Sequence, residues 1–179
     1  MDSKNIVITG LMGSGKSTLG KLVAKKMNRE LIDTDEYLVS HFGSAAEILN
    51  QPGGDEKFRL TEERVASDLS KMDSLVISTG GRFMLNQKNI DLMLENGKVV
   101  CLKANPQDLV IRLKAATCET YRPKFEKAKN KLSLMECLER QSAPYFEQFV
   151  QVQTSGRTVE DIATEIVSLF VNGYNQGYR

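Results

Sequence analysis

Five short apolar runs punctuate the chain, at residues 6–8, 31–32, 75–77, 99–102 and 149–152. They are short and mostly rich in β-branched residues, as strands buried on both faces of a parallel sheet should be. Between them, apolar residues recur at helical spacing. Lys16–Met27 carries Leu19, Leu22, Val23 and Ala24 on one face. Asn105-Pro106 offers an N-cap followed by Pro at the first helical position, opening a helix through Leu109, Ile111 and Leu113. Ser133 with Glu136, and Thr158 with Asp161, both match a capping box. The second opens a last helix over about 159–171 with Ile162, Ile166, Leu169 and Phe170 at helical spacing. Such alternation predicts an α/β fold, a parallel sheet with helices on both faces.

Two segments break the alternation. Residues 35–70 are too long for one crossover helix and contain Gly43 and the Pro52-Gly53-Gly54 break, so several helices are expected there. Residues 117–131 are polar, with five lysines or arginines and one Pro, and read as a mobile excursion. In α/β enzymes, insertions of this kind carry substrate sites and lids. The tail, 172–179, reads as frayed. Without repeats or a central linker, 179 residues predict a single domain, 1–179: a core at about 4–34, 71–116 and 132–172, an insertion at 35–70 and a lid at 117–131.

Composition changes this picture mainly by exclusion. Lys plus Arg total 24 and Asp plus Glu 23, a net charge of +1, so no global electrostatic footprint for nucleic acid or an anionic membrane is present. One histidine, His41, argues against a His-based metal site or a Ser-His-Asp triad and reads as a helix-end or surface residue. Cys101, Cys118 and Cys137 are odd in number and lack CxxC spacing, which suits reduced thiols packed as small hydrophobes. The first apolar run is too short for a signal segment, and no stretch nears the roughly 20 apolar residues of a membrane helix. The expectation is a soluble cytoplasmic protein with no nucleic-acid or membrane partner, acting as a monomer.

The candidate chemistry begins at Gly10-Leu11-Met12-Gly13-Ser14-Gly15-Lys16-Ser17, which fits G-x-x-x-x-G-K-[ST] at every fixed position, after an expected strand and before an expected helix. Its glycines let backbone N–H groups turn around a phosphate, the helix N-terminus adds a favourable dipole, and Lys16 reaches the β- and γ-phosphates. The Ser17 hydroxyl is placed for Mg²⁺. A nearby carboxylate is then needed. The 75–77 run leads into Ser78-Thr79-Gly80-Gly81, with no acid, but 31–32 leads into Asp33-Thr34-Asp35. If the extended conformation persists, both carboxylates overhang the nucleotide, one nearer the metal and one nearer the acceptor. The rival is a solvated acidic turn in which Asp35 caps the next helix.

Gly10 to Thr18, then Asp33-Thr34-Asp35, Phe58-Arg59 with Glu62, Ser78-Thr79-Gly80-Gly81, Arg122-Pro123 and Arg140 together resemble the shikimate kinases, in family order and over nearly the whole chain. The resemblance implies a three-layer α/β/α P-loop fold similar to nucleoside monophosphate kinases. Its five-stranded parallel sheet is expected in order 2-3-1-4-5, with a helical substrate-binding insertion and a mobile lid. It implies ATP-dependent phosphorylation of the 3-hydroxyl of shikimate, on the route to chorismate and aromatic amino acids. By motif, Gly13, Ser14, Gly15, Lys16, Ser17 and Thr18 would bind ATP, and Ser17 and Asp33 would hold Mg²⁺. Asp35 would orient or deprotonate the attacking hydroxyl. Arg59 and Arg140 would bind the shikimate carboxylate, with Glu62 bracing the arginines, and Gly80 and Gly81 would bring backbone N–H groups against the substrate. Arg122 would close over the phosphates, and Arg112 resembles the arginine that packs on adenine.

The chemistry agrees. Guanidinium forks suit one carboxylate, an ionised Asp suits hydroxyls, and phosphoryl transfer asks for positioning and charge rather than histidine. Plainer readings stand beside these: Arg59 paired with Glu62 or Glu63, Arg140 paired with Glu136, Arg122 in a solvated loop, Arg112 snorkelling on the surface. The family's third consecutive glycine is here Arg82, which either points away or adds a cation to the acceptor pocket. The span from Arg112 to Arg122 is a few residues longer than usual, and one extra residue precedes Tyr145. The alternatives are therefore a P-loop kinase for another small anionic hydroxy compound and a ligand sensor that binds without turnover.

Overall fold

In the computed structural model, which describes residues 3–116 and 123–172, five parallel strands form one sheet in the order β2-β3-β1-β4-β5. The strands are β1 (Asn5–Gly10), β2 (Glu30–Asp33), β3 (Leu75–Ser78), β4 (Gly97–Lys103) and β5 (Val150–Gln153). The expected strand order holds, and every apolar run lies in or overlaps a strand. The last run is shifted: Phe149 stays outside, buried below the strand start.

Period-two alternation sorts the strand residues between two cores. Val7, Ile77, Val99 and Cys101 face one side with Leu38, Val65, Leu69, Phe83 and Ile90. Ile6, Ile8, Val76, Val100 and Leu102 face the other, against Leu19, Val23, Ile162, Ile166 and Phe170. Side chains buried this fully contribute about 1.5–3 kcal/mol each, so the two faces hold the sheet between its helices. Cys101 and Cys137 are free thiols, and burial pushes Cys101 up to about 12, which keeps it protonated. Cys118 lies outside the described residues.

The helices are α1 (Lys16–Met27), α2 (Thr34–Phe42), α3 (Ala45–Leu49), α4 (Gly54–Leu69), α5 (Gln87–Glu95), α6 (Pro106–Ala115), α7 (Pro123–Lys127), α8 (Lys131–Phe146) and α9 (Val159–Val171). The 35–70 stretch does hold several helices, α3 opening on a reciprocal capping box between Ser44 and Glu47. Thr158 caps α9 as expected, its hydroxyl accepting from the Asp161 N–H. The Ser133 cap is corrected. α8 starts three residues earlier, where Asn130 accepts from the Ser133 N–H, so Ser133 lies inside the first turn. α5, which the run pattern did not signal, is capped by Asn86. Part of the expected lid is helix α7, whose Phe125 is buried with Leu109, Leu113 and Met135. His41 lies in the last turn of α2 and stacks on Tyr37.

Register decides where chemistry can gather. Asp33 pairs with Ser78, and Ser78 with Ile8, so β1, β2 and β3 end at one edge, where open α/β sheets bind ligands.

Candidate active site

At that edge, β1 runs into the phosphate loop. Gly15 caps α1 in the left-handed conformation, φ 100°, a backbone that L side chains rarely adopt, and so turns the chain from loop to helix. α6 closes on the loop from the side: a Cβ at Gly13 would stand 2.9 Å from Leu113. Lys16 Nζ donates to the carbonyls of Gly10 (2.8 Å) and Leu11 (3.1 Å), holding its ammonium at the loop mouth. The Ser14 hydroxyl is buried without a hydrogen-bond partner among the described residues, a donor left inside an anion cradle. Ser17 and Thr18 are exposed on the first turn of α1.

Asp33 ends β2 and caps α2, its Oδ1 accepting from the Asp35 N–H at 3.0 Å while its Oδ2 accepts from the Ser17 hydroxyl at 3.3 Å. The extended arrangement expected for Asp33 and Asp35 does not persist. A helix starts between them, and the capping residue is Asp33. The two carboxylates nevertheless remain neighbours. Asp35 is exposed as a residue, yet the atoms packed around its carboxylate strip it of enough water to raise its pKa. Asp33 and Glu36 add to that rise, and Lys16 opposes it.

Gly80 meets Asp35 directly: a Cβ there would lie 2.1 Å from Asp35 Oδ1. Its N–H donates to the Thr34 hydroxyl at 2.7 Å, so it is already used within the protein. Of the two glycines expected to offer N–H groups, Gly81 is the one with open space around it. Arg82 has an ordinary backbone, φ −112°, so no glycine is required at that position. Its side chain is 64% exposed and its guanidinium stands 4.0 Å from Asp55.

Helix α4 supplies Arg59, Glu62 and Glu63, and Arg59 is bonded by Glu56 and Glu63 rather than by Glu62. Arg59 forks onto Glu56 at 2.9 and 2.6 Å and pairs with Glu63 through Nη1. Glu62 is buried, and burial pushes its pKa up to about 7, with Arg82 pulling it down and Asp35 pushing it further up. It therefore joins the Asp35 side of the pocket. Arg140 is exposed on α8 and, among the described residues, forms no pair with Glu136. α8 packs against the single turn Phe83–Leu85 that follows β3. Arg112 is drawn to the far side, donating to the Thr154 hydroxyl (2.9 Å) and carbonyl (2.8 Å) beyond β5. Arg122 lies outside the described residues.

One sheet edge thus assembles Lys16, Ser17, Asp33, Asp35 and Gly80, with Glu62 and Arg82 felt electrostatically beside them. Thr34 supports the edge from behind through Gly80, while Asn86 and Lys88 bond Glu63 on α4 outside it, and the sequence reading missed all three. The last two follow an Asn cap signal before Ile90 and Met93, whereas Thr34 carried no signal of its own.

The family model for shikimate kinase matches residues 12–170. The chain belongs to the shikimate kinase family. A shikimate kinase of Caldicellulosiruptor bescii is 38% identical over 167 residues, covering 93% of this chain and 95% of its own. A shikimate kinase structure from Bacteroides thetaiotaomicron superposes with a TM-score of 0.82 at 30% identity, over 93% of this chain and 98% of that one. A second, from Acinetobacter baumannii in complex with shikimate, gives 0.83 at 24% identity over 95% and 94%, a likeness of fold. ATP-dependent kinase activity, expected from the ordered motifs, is the family's own. Among the described residues no helix is long and apolar enough to cross a membrane.

Proposed function

We propose that this chain transfers the γ-phosphoryl group of ATP to the 3-hydroxyl of shikimate. The observation that carries the reading is the convergence at one sheet edge of a phosphate loop with an Asp35 carboxylate seated on Gly80, facing Lys16 on one side and α4 on the other. Backbone N–H groups from Gly13 to Thr18 cradle the phosphates, and Lys16 turns from its loop carbonyls to the β- and γ-oxygens. Ser17 and Asp33 fit Mg²⁺: both are hard oxygen donors already side by side, and among the described residues no cluster of three His, Cys, Asp or Glu exists to hold a metal without phosphate oxygens. When bound, that ion neutralises charge on the phosphates.

Asp35 accepts the hydrogen bond of the attacking hydroxyl, and its raised pKa makes it a better proton acceptor than a free carboxylate. As oxygen bonds to the γ-phosphorus, the bond to the bridging oxygen of ADP breaks, and the hydroxyl proton passes to Asp35 and on to solvent. Arg59 and Arg140 hold the acceptor carboxylate, Arg140 being the one already free of Glu136. Glu62 lines the pocket, and Gly81 offers the open N–H. Arg112 borders the adenine end, and Arg122 carries the charge over the phosphates. The chain is read as one kinase unit, 1–179, with the insertion at 35–70 and the lid at 117–131, working as a cytoplasmic monomer.

A coupled ADP-release assay with and without shikimate tests the reading. ADP release that depends on shikimate is expected. ATP turnover indifferent to shikimate, or binding of both ligands without turnover, overturns it.

A further inference from the structure

Arg59 is held by its own helix: each of its three nitrogens already donates to a carboxylate, so turning fully to an acceptor means giving up part of that hold. Nε and Nη2 fork onto Glu56, and Nη1 pairs with Glu63. The two partners differ sharply. Glu56 is 61% exposed, and water replaces a lost surface partner with little effect. The Glu63 side chain is 7% exposed under the very side chains that bond it, so losing Arg59 removes both a cation and part of its cover, a larger change than at Glu56. Glu63 would therefore trap Arg59 were Arg59 its sole counter-charge.

It is not. Lys88 Nζ donates to Glu63 Oε2 at 2.8 Å, and Asn86 Nδ2 donates to Oε1 at 3.1 Å. Both come from the start of α5, where Asn86 Oδ1 also accepts from the Lys88 N–H at 3.1 Å, so one residue caps the helix and aims its amide at α4. The Glu63 carboxyl lies below its usual range, through Lys88 first, then Asn86, with Arg59 contributing after them. Its charge stays satisfied when Arg59 leaves.

We propose that Lys88, with Asn86 behind it, is a positioning residue that keeps Glu63 countered so that Arg59 can turn to the carboxylate of the acceptor. This rests on the reading of Arg59 as an acceptor ligand. The device is an exchange: the buried carboxylate holds two cations at rest and one when the acceptor is bound. Removing the second cation transfers its share of the hold to Arg59, and acceptor affinity falls without any change in chemistry.

Steady-state kinetics on the full chain test this, with shikimate and ATP varied separately. Lys88→Met is expected to raise the shikimate KM by roughly tenfold, with kcat at saturating shikimate and the ATP KM unchanged. Lys88→Arg is expected to restore the wild-type KM. So is the double variant Lys88→Met/Glu63→Gln, in which no buried charge remains to hold Arg59. A Lys88→Met enzyme with unchanged shikimate KM overturns the proposal, as does a loss spread equally over kcat and ATP, or one that persists in the double variant. Arg59→Ala separates the two layers. If it raises the shikimate KM while Lys88→Met does not, only the role of Lys88 falls. If it leaves the KM unchanged, the acceptor assignment of Arg59 falls and the role of Lys88 with it.

Discussion

A methyl group placed on Gly80 would stand 2.1 Å from Asp35 Oδ1, 2.8 Å from its Cγ and 3.1 Å from Oδ2. Side-chain Cβ atoms do not approach heavy atoms within 3.0 Å, so in Gly80→Ala the carboxylate must retreat by about 0.9 Å. The backbone raises no objection, because Gly80 does not have a positive φ. Nor should folding suffer much, since the displaced atoms are the end of the side chain of an exposed residue. The effect should fall on catalysis. Misplacing a reacting group by about 1 Å lowers rate by about a hundredfold, and that is the expected loss in kcat. The comparison is Gly81→Ala, where an added Cβ meets no protein atom within 4 Å and so leaves Asp35 in place: kcat at saturating shikimate should stay within a few-fold of wild type, any cost falling on the shikimate KM.

The assay is shikimate-dependent ADP release for both variants, with thermal melts alongside. The contrast between adjacent glycines removes general effects of adding a methyl to this loop. Near-wild-type kcat in Gly80→Ala, or equal losses in the two variants, would refute the argument that Asp35 must sit where the structure places it.

Asp35→Asn, nearly isosteric but without the basic oxygen, is expected to lower kcat by about 10²–10⁴ while ATP still binds; retention of turnover would remove Asp35 from proton transfer. Glu62 releases its proton near 4.5 when unfolded but near 7 when folded, so its contribution to stability is full below the first value and lost as pH rises through the second. Glu62→Gln is expected to remove this fall, by about 3 kcal/mol at most, so that urea melts at pH 5 and pH 8 diverge from wild type only at the higher pH; parallel profiles would count against it. Arg82→Gly is expected to keep the shikimate KM near wild type or below it, because that guanidinium is mostly exposed and 4.0 Å from its carboxylate. A collapse in affinity would make Arg82 a substrate ligand.

Strands, the phosphate loop, the helix opened by Pro106 and the helix capped by Thr158 were legible because each rests on local rules: runs of β-branched residues, glycines at fixed spacing, a Pro at the first helical position, a hydroxyl just ahead of an apolar stripe. Local rules also explain the misplaced start of α8. Asn130 and Ser133 are both good caps, and what selects between them is burial of Leu134 and Met135 against α6 and α7, which is tertiary. Asp33 and Asp35 read as a pair, with a helix capped by Asp35 as the rival; the structure starts that helix at Thr34 and makes Asp33 its cap. Their nearness survives because Asp33 spends one oxygen on the cap and the other on Ser17. The exchange of Glu62 for Glu63 as the partner of Arg59 has a similar origin. Both i+3 and i+4 are within reach on a helix, and α5 decides the matter by covering Glu63 with Asn86 and Lys88.

A net charge of +1 gave no hint of an anion-binding protein, and the site explains how the two facts coexist. Its cations are largely partnered from within. Lys16 rests on two loop carbonyls, Arg59 on two carboxylates, and Arg82 tempers Glu62. Binding two anionic ligands in such a pocket replaces internal partners rather than creating ion pairs from bare charges. Affinity is then a difference between similar interactions, which favours ligands that satisfy several displaced groups at once. It also makes the internal competitors as decisive for specificity as the residues that touch substrate.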